Sequence, residues 1–341
     1  MQNNFEKDLL LPEQQQYEEQ GIYSEDSLRP KDFSSFIGQK SVVETVDVMI
    51  NSALQRNAAL DHILFSGPPG LGKTSLAYLL ASKLNSKLHL ISGPALEKKG
   101  DLAAVLANIA PRDIIFIDEI HRMPITIEEL LYSALEDFRL DIILGQGPSA
   151  RTMQIPLNPF TLIGATTKSG LLSGPLRDRF QAHLTFDFYE PKELICIISN
   201  NAEKLKMKID NEGMAKIAFC SRGTPRIALR ILRRVRDYYV VYFAHLKIVD
   251  ITVVNKALEM LNIDANGLDK GDRKLLKTLN EVFKGGPVGI EALAATLVED
   301  KDTIESIYEP YLLNQGYLIR TPRGRQLSEK AIKYLTTLNQ E

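Results

Sequence analysis

Cysteine is scarce in this chain of 341 residues, which contains only Cys196 and Cys220. A disulfide framework or a zinc site needs several closely spaced cysteines or histidines, so neither is expected here. Both cysteines lie in apolar, helix-like stretches, and we predict that they are small core residues.

Long apolar runs are also absent from the sequence. No stretch approaches the roughly 18 to 20 apolar residues that a membrane-spanning helix requires. The first residues lack the charged-then-apolar pattern of a secretory signal. These features predict a cytoplasmic protein with no membrane association.

A strong charge of one sign is missing as well. The chain has 41 Lys and Arg against 43 Asp and Glu, a net charge of −2. This balance excludes a globally basic nucleic-acid binder, so any contact with DNA must come from a local patch.

The sequence patterns predict an α/β fold followed by two further domains, because the chain is too long for one typical core. Short apolar runs alternate with amphipathic helical patterns in the α/β part, as in a parallel sheet covered by helices. The expected strands are residues 63–65, 88–91, 114–117 and 160–165. The predicted segments are a disordered tail at 1–27, the α/β domain at 28–186, a small helical domain at 187–263 and a C-terminal domain at 264–341.

Two smaller patterns add detail to this division. Alternating runs at 140–144 and 151–155 flank a Gly/Pro turn and predict a projecting β-hairpin. Near the C-terminus, helical patterns at 275–283, 290–298 and 304–313 precede a strand, a turn and a returning strand at 317–327. Three short helices closed by a hairpin predict a winged helix.

The most specific motif is Gly67-Pro68-Pro69-Gly70-Leu71-Gly72-Lys73-Thr74, which matches G-x-x-x-x-G-K-[ST] at every position. The loop backbone can cradle the phosphates of a nucleoside triphosphate, Lys73 can reach the β- and γ-phosphates, and Thr74 can ligate Mg²⁺. A plain Gly/Pro turn before an ordinary helix is the alternative. The apolar run before the motif and the helical pattern after it favour the phosphate loop.

Two carboxylates, Asp118 and Glu119, follow the apolar run Ile114–Ile117. Ligands bind at the carboxyl ends of parallel strands, where Asp118 can hold Mg²⁺ and Glu119 can accept a proton from the attacking water. The alternative is a strand end capped by solvated acids. The phosphate loop upstream favours the hydrolytic interpretation.

Three further features leave alternatives open. Thr167 ends another predicted strand and can orient water or contact the γ-phosphate, or it is an ordinary strand residue. Arg179 can stabilise charge in phosphoryl transfer, or form a surface salt bridge. The basic turn with Arg320, Arg323 and Arg325 can contact DNA, or is a solvated loop tip.

These motifs, in this order, resemble the AAA+ ATPases, and more narrowly the RuvB family of motors that drive branch migration of Holliday junctions. The narrower resemblance extends from about Leu28 to Tyr334. The segments that carry it are Leu28–Pro30, Phe36–Gln39, Leu60–Leu64, Glu97–Leu102, Asp118–Arg122, Gly164–Thr167, Arg222–Arg226 and Arg320–Arg325. It implies an AAA+ P-loop domain, a helical lid and a winged-helix domain.

The resemblance implies a role for each matching residue. Within one subunit these are the adenine-pocket residues Leu28, Arg29 and Ile37, the phosphate-cradle residues Gly70, Gly72, Lys73, Thr74 and Ser75, the strand-end sensor Thr167, and the lid contacts Tyr189 and Arg226. Across a subunit boundary they are the finger Arg179 and the segment Glu136, Asp137 and Phe138, which lies near the neighbouring nucleotide. Arg320, Arg323 and Arg325 match the wing that meets DNA phosphates.

The resemblance also implies ATP and Mg²⁺ as cofactors, a hexameric ring around double-stranded DNA and a role in recombination and repair. RuvA is the implied partner of the hairpin at 140–155, and RuvC resolvase is a further partner. Phe138, Ser133 and Gln181 stand where the family pattern has Tyr, Pro and Gly. The rival interpretations are a clamp-loader switch, a protein-remodelling chaperone and a non-hydrolysing scaffold.

Overall fold

Short parallel strands organise the first part of the computed structural model, which describes residues 25–144 and 151–338. The strands here are β1 (Ile63–Ser66), β2 (Leu88–Ser92), β3 (Ile114–Asp118), β4 (Arg139–Leu144), β5 (Arg151–Pro156), β6 (Thr161–Thr166) and β7 (Ala182–Thr185). Within the described residues, one five-stranded sheet has the order β2-β3-β6-β1-β7. All its neighbouring strands are parallel, so the ends of β1, β3 and β6 meet at one edge.

Helices cover both faces of this sheet. The helices of this part are α1 (Glu25–Leu28), α2 (Lys40–Arg56), α3 (Lys73–Leu84), α4 (Lys99–Ala107), α5 (Ile125–Glu136) and the short α6 (Gly174–Arg177). Val46 of α2 and Leu76 of α3 pack with Phe65 on one face, whereas Leu102 of α4 and Leu131 of α5 belong to the core on the other. A strand covered on both faces is apolar along its length, which explains the Ile-Ile-Phe-Ile run of β3.

The strands β4 and β5 form a separate antiparallel hairpin, as predicted. Leu140, near its base, is fully buried against the sheet domain, whereas Met153 is 44% exposed. The Gly/Pro turn of the hairpin falls at 145–150, outside the described residues.

The second part of the chain is helical. Its helices are α7 (Pro191–Lys204), α8 (Asn211–Cys220), α9 (Pro225–Tyr242) and α10 (Ile251–Met260). Asp210 and Asp250 accept hydrogen bonds from the first turns of α8 and α10 and mark where these helices begin. Leu194 and Ile231 belong to the same apolar core as the sheet, so this helical part packs directly on the α/β part.

The third part has its own core, which includes Leu275 and Leu312. Its elements are α11 (Lys270–Glu281), α12 (Ile290–Leu297), α13 (Lys301–Thr303), a π-helical turn (Ile304–Tyr308), α14 (Glu309–Asn314), β8 (Leu318–Thr321), β9 (Gly324–Leu327) and α15 (Glu329–Leu338). The antiparallel pair β8 and β9 is the wing. The predicted winged helix is therefore confirmed.

Several details differ from the sequence-based predictions. Strand β7 and helix α15 were not predicted, because β7 has only four residues and no helical pattern was assigned to the residues that follow the wing. Residues 1–24 of the expected disordered tail lie outside the described residues, whereas Glu25–Leu28 are helical. Cys220 is buried as predicted, but Cys196 is exposed because α7 turns it away from the core.

No helix between residues 25 and 144 or between 151 and 338 has both the length and the apolar character needed to cross a membrane.

Candidate nucleotide site and DNA-facing wing

The phosphate loop joins the end of β1 to the start of α3. Gly67, Gly70 and Gly72 all have positive φ, at 132°, 81° and 99°. A Cβ atom on Gly67 would lie 2.4 Å from the carbonyl oxygen of Phe186. Only glycine fits this turn, which places the first backbone N–H groups of α3 at the sheet edge.

Lys73, the first residue of α3, points back into the loop. Its ammonium donates hydrogen bonds to the carbonyl oxygens of Gly67 and Pro68, both at 2.8 Å. Burial lowers the pKa of Lys73 to about 8, an effect that the nearby Asp118 and Glu119 carboxylates oppose. The lysine is thus a buried cation at the place where phosphates are expected.

A single cavity of about 400 Å³ collects most of the predicted nucleotide residues. Its lining includes Leu28, Arg29, Ile37, Gly70, Gly72, Lys73, Thr74, Ser75, Asp118, Glu119, Tyr189 and Arg226. The Tyr189 hydroxyl donates a hydrogen bond to the carbonyl oxygen of Leu71 at 3.2 Å, and the Arg226 N–H donates to Gly70 at 3.3 Å. These two contacts hold the lid against the phosphate loop, so the cavity lies between the two domains.

The lid also contributes lining residues that the sequence reasoning missed. They are Ile197, Asn200, Asn201 and Lys204 on α7 and Leu229 and Arg233 on α9. On α9 the signal is the spacing i, i+3 and i+7 from Arg226, which places Arg226, Leu229 and Arg233 on one face. The α7 residues Ile197, Asn200, Asn201 and Lys204 share one helix face but lie at no such spacing from a predicted site residue. Asn201 is buried and donates a hydrogen bond to Ile197 at 2.8 Å.

Asp118 and Glu119 stand where β3 ends. The Glu119 backbone has φ of 50° and its N–H donates to Asp118 Oδ1 at 3.0 Å. This bend aims the two carboxylates separately into the same cavity as Lys73. A carboxylate there can serve as a general base while its neighbour serves as a ligand for a cation.

Thr167 at the end of β6 and His121 just after β3 both contact Glu119. The Thr167 hydroxyl lies 3.4 Å from Glu119 Oε2, and His121 Nε2 lies 3.3 Å from the same oxygen. The other ring nitrogen of His121 is 2.9 Å from the Thr166 hydroxyl. Burial lowers the pKa of His121, so the ring is neutral at pH 7 and supports Glu119 by a hydrogen bond rather than by charge. Sequence reasoning selected Thr167 but missed His121.

Arg179 occupies a different place. Its Nη2 pairs with Glu136 Oε2 at 2.8 Å, and its guanidinium stacks 4.6 Å from the centre of the Tyr132 ring. Arg179, Glu136 and Asp137 line a second cavity, of about 360 Å³, which is separate from the cavity at the phosphate loop. The structure therefore groups three of the four predicted cross-subunit residues, Arg179, Glu136 and Asp137, on one surface away from the phosphate loop of their own chain. Phe138 is not on this surface, because its ring packs against the apolar core.

Two departures from the family pattern have structural explanations. The centre of the Phe138 ring lies 5.8 Å from that of Phe160 and 6.1 Å from that of His62, so this side chain makes apolar contacts. Phe138 lines neither of the two cavities described above. The Gln181 side chain accepts a hydrogen bond from the His62 N–H at 2.9 Å and ties the start of β7 to β1. Ser133 lines the second cavity beside Arg179.

The three wing arginines have unequal surroundings. Arg320 and Arg323 are exposed, whereas Arg325 is only 6% exposed. The Arg325 guanidinium hydrogen-bonds to Glu309 and lies 2.9 Å from Glu305 Oε1. Sequence reasoning treated the three alike, but here Arg325 holds the wing against α14 and is not presented at the surface. A DNA contact of Arg325 stays a prediction.

Comparison with known families gives consecutive matches along the chain. Residues 28–186 match the family described as "Holliday junction DNA helicase RuvB P-loop domain", 189–264 match "RuvB AAA lid domain", and 265–336 match "RuvB C-terminal winged helix domain". A protein from Lawsonia intracellularis, called Holliday junction branch migration complex subunit RuvB, is 52% identical over 96% of this chain and 97% of its own length. This chain belongs to the RuvB family.

Other members of the RuvB family agree with this assignment. A Flavobacterium johnsoniae relative of the same name is 50% identical over 97% of this chain and 96% of its own. The solved structure titled "Thermotoga maritima RuvB Holliday junction branch migration motor" has a TM-score of 0.84 and 49% identity, covering 91% of this chain and 98% of that one. The predicted family and its architecture of AAA+ P-loop domain, lid and winged helix are confirmed. The P-loop domain of the family makes this chain a nucleotide-binding protein.

Proposed function

We propose that this chain is the ATP-driven motor subunit that moves duplex DNA during branch migration of Holliday junctions, in recombination and repair. One observation carries the proposal. A single chain of the RuvB family combines the residues of a hydrolytic site with a winged helix that exposes Arg320 and Arg323. The proposed division of labour is ATPase at 28–186, lid at 187–263 and DNA binding at 264–341, with the tail at 1–27 outside the chemistry. This work on chromosomal DNA also implies a cytoplasmic location.

ATP is the proposed substrate of the cavity at the phosphate loop. Leu28, Arg29 and Ile37 line the same cavity as the glycine-rich loop, and we propose that they cover the adenine ring while the loop holds the phosphates. Arg226 begins the lid helix α9 beside Gly70, so it is placed to sense the phosphates and pass their state to the lid. Tyr189 lines the same cavity, and its hydroxyl donates to the phosphate loop at Leu71.

Mg²⁺ is the proposed companion of the nucleotide. In the described residues, no three His, Cys, Asp or Glu side chains cluster as a ready-made metal site. Mg²⁺ is often held by only one or two protein oxygens together with substrate phosphates and water. Thr74 and Asp118, which line one cavity, fit this pattern and would hold the ion, whose charge offsets that of the phosphates.

Hydrolysis is proposed to use residues of two subunits. Glu119 accepts the proton of the attacking water, and Thr167 and His121 hold its carboxylate in place. Arg179 is grouped with Glu136 and Asp137 on another surface, so it is proposed to reach the nucleotide of the neighbouring subunit. A subunit that completes its neighbour's site makes a head-to-tail contact, which gives a ring where the rotation closes, and we propose a hexamer.

DNA and RuvA are proposed to bind at two separate features, the wing and the hairpin. The exposed Arg320 and Arg323 contact phosphates, which carry no base information, as a motor on any sequence requires. The hairpin at 140–155 is the proposed docking site for RuvA, because it stands outside the sheet and exposes Met153. RuvC is a further proposed partner, on the family resemblance alone.

The test is the ATP turnover of the purified chain, measured alone, with duplex DNA, and with a synthetic four-way junction plus RuvA. The proposal expects stimulation by DNA and a further gain with the junction and RuvA. Turnover that does not respond to DNA would overturn it. A clamp-loader switch is disfavoured in advance, because residues 270–338 form a winged helix and not a helical collar.

A further inference from the structure

An ion pair joins the ATPase domain to the winged-helix domain. Lys168 Nζ, directly after the sensor position Thr167, lies 2.9 Å from Asp302 Oδ1 and 3.9 Å from Glu305 Oε2. The two residues of the closer pair are 134 positions apart in the sequence. The end of β6, which carries the sensor position Thr167, therefore contacts the winged-helix domain of its own subunit.

On the ATPase side, Lys168 is fastened to the groups around the catalytic carboxylate. Its backbone N–H donates a hydrogen bond to the Thr166 hydroxyl at 3.0 Å, and that hydroxyl lies 2.9 Å from His121. His121 and Thr167 both contact Glu119. A displacement of Lys168 thus moves His121 and Thr167, the two residues that contact the proposed general base Glu119.

On the winged-helix side, the same contact continues into the wing. Glu305 lies 2.9 Å from Arg325 Nη2 and 3.7 Å from Arg320 Nη2. Glu305 sits on the π-helical turn Ile304–Tyr308, a form of helix that is often found at functional sites. Phosphates that attract Arg320 would compete with Glu305 for it and so change the charge facing Lys168.

A second contact between the winged helix and the rest of the chain is a buried ion-pair network. Arg222 of the lid pairs with Asp272 and, at 2.6 Å, with Asp269, and its guanidinium lies 4.9 Å from the centre of the Tyr311 ring. Asp272 is fully buried. Because a buried network of this kind holds one geometry, the winged helix moves together with the lid.

The Lys168 contact has the opposite character. The Asp302 side chain is 83% exposed, and an exposed ion pair is weak and screened by salt. When the lid changes position over the nucleotide, the buried ion-pair network at Arg222 carries the winged helix along, and the weak pair at Lys168 is the contact that opens or closes. The Lys168 ion pair can therefore be open or closed, and both the nucleotide cavity and the DNA-binding wing can shift the balance between these two arrangements.

We propose that Lys168 is a positioning residue that couples the DNA-bound wing to the hydrolytic geometry, through its ion pair with Asp302 and Glu305. The inference rests on the proposed function, because it requires that DNA stimulates ATP turnover. It assigns that stimulation to a contact within one subunit, distinct from the Arg179 contact between subunits. Lys168 does not line the nucleotide cavity, so it acts through Thr166, His121 and Thr167.

The test uses the Asp302→Lys variant, which places a repelling charge opposite Lys168. Glu291→Lys is the matched control, because Glu291 forms an exposed ion pair with Lys301 in the same domain and has no contact with the ATPase domain among the described residues. The measured quantity is the ratio of DNA-stimulated to basal ATP turnover, together with DNA affinity and melting temperature. We expect Asp302→Lys to lose most of the stimulation while basal turnover and melting temperature stay unchanged, and Glu291→Lys to keep it.

The charge-swapped double variant Lys168→Asp with Asp302→Lys separates coupling from simple structural support. It is expected to recover stimulation relative to either single variant, which an unrelated loss of packing would not do. Equal stimulation in wild type and Asp302→Lys, or no recovery in the swap, would overturn the coupling and leave the motor function intact. A wild type that does not respond to DNA would overturn both.

Discussion

The Thr167 hydroxyl lies 3.4 Å from Glu119 Oε2, and this contact joins the ends of two neighbouring strands of the sheet. Residues 48 positions apart in the sequence thereby share one task, which is to hold a carboxylate at the mouth of the nucleotide cavity. A contact that fixes the end of β6 therefore also fixes Glu119, the proposed general base.

The substitution Glu119→Gln tests that role. The amide keeps the size of the side chain and its contact with Thr167 but cannot accept a proton from water, so turnover should fall by about 10²- to 10⁴-fold. ATP affinity should change little, because the phosphate loop is untouched. Equilibrium binding of ATP and steady-state hydrolysis are the two measurements. Hydrolysis at near the wild-type rate would remove Glu119 from the mechanism.

The substitution Arg179→Ala tests the shared site. An arginine finger supplied by a neighbour is worth about 10³- to 10⁵-fold in turnover, so the variant should be nearly inactive. Mixed in equal amounts with wild type, it should lower turnover by more than dilution alone, since each variant subunit disables a neighbour's site. The exposed Arg177→Ala in the same segment is the control. Turnover of mixtures that follows simple dilution would contradict completion of the site by a neighbour.

The buried ammonium of Lys73 predicts a pH dependence of ATP binding. Its pKa in the free protein is lowered to about 8 by burial, whereas bound phosphates favour the charged form and raise it. Above about pH 8 the free lysine loses its proton and binding must take one up, so affinity should fall by up to about tenfold per pH unit. Calorimetry in buffers of different ionisation enthalpy measures this uptake.

Lys73→Arg serves as the comparison for that experiment, because a guanidinium stays charged throughout the range. The ATP affinity of the Lys73→Arg variant will differ in magnitude from that of the wild type. Residue 73 should then cause no change of ATP affinity with pH between about pH 7.5 and pH 9.5. Zero proton uptake by the wild type in the same range would show that Lys73 is already charged at every pH tested.

The wing arginines predict two different phenotypes. Arg325→Ala leaves Glu309, which is 2% exposed, without its buried partner, and should destabilise the winged helix by about 3 to 5 kcal/mol. Arg323→Ala should leave the melting temperature unchanged, weaken DNA binding on every sequence and reduce the salt slope of binding by about 1. Thermal unfolding and DNA titrations at several salt concentrations distinguish them. Normal stability of Arg325→Ala would contradict the structural role of that pair.

The hairpin predicts a variant that separates RuvA docking from hydrolysis. Met153→Glu places a charge on the exposed face of the hairpin and should weaken RuvA binding about tenfold or more while basal turnover stays normal. Ile332→Glu is the control, since Ile332 is exposed to a similar degree, at 48%, on α15. Loss of RuvA binding in both variants, or in neither, would speak against the hairpin as the docking site.

The sequence by itself determined the features that depend on neighbouring residues. The phosphate loop needs glycines at positive φ within one short turn, and the carboxylates need only an apolar strand that ends at Asp118. Alternation and helical periodicity likewise predicted the sheet strands, the lid helices and the wing, because each pattern is local. The short strand β7 was not predicted because four residues give little alternation, and helix α15 was not predicted because no helical pattern was assigned after the wing.

Only the tertiary structure decided what the charged side chains do. Arg320, Arg323 and Arg325 look equivalent in sequence, yet folding brings Glu309 and Glu305 to Arg325 and leaves Arg323 exposed. Lys168 gave no signal at all, because its partner Asp302 is 134 positions away in the sequence. The physical reason is that a charge takes its function from its partners and its burial, and both are set by contacts between distant parts of the chain.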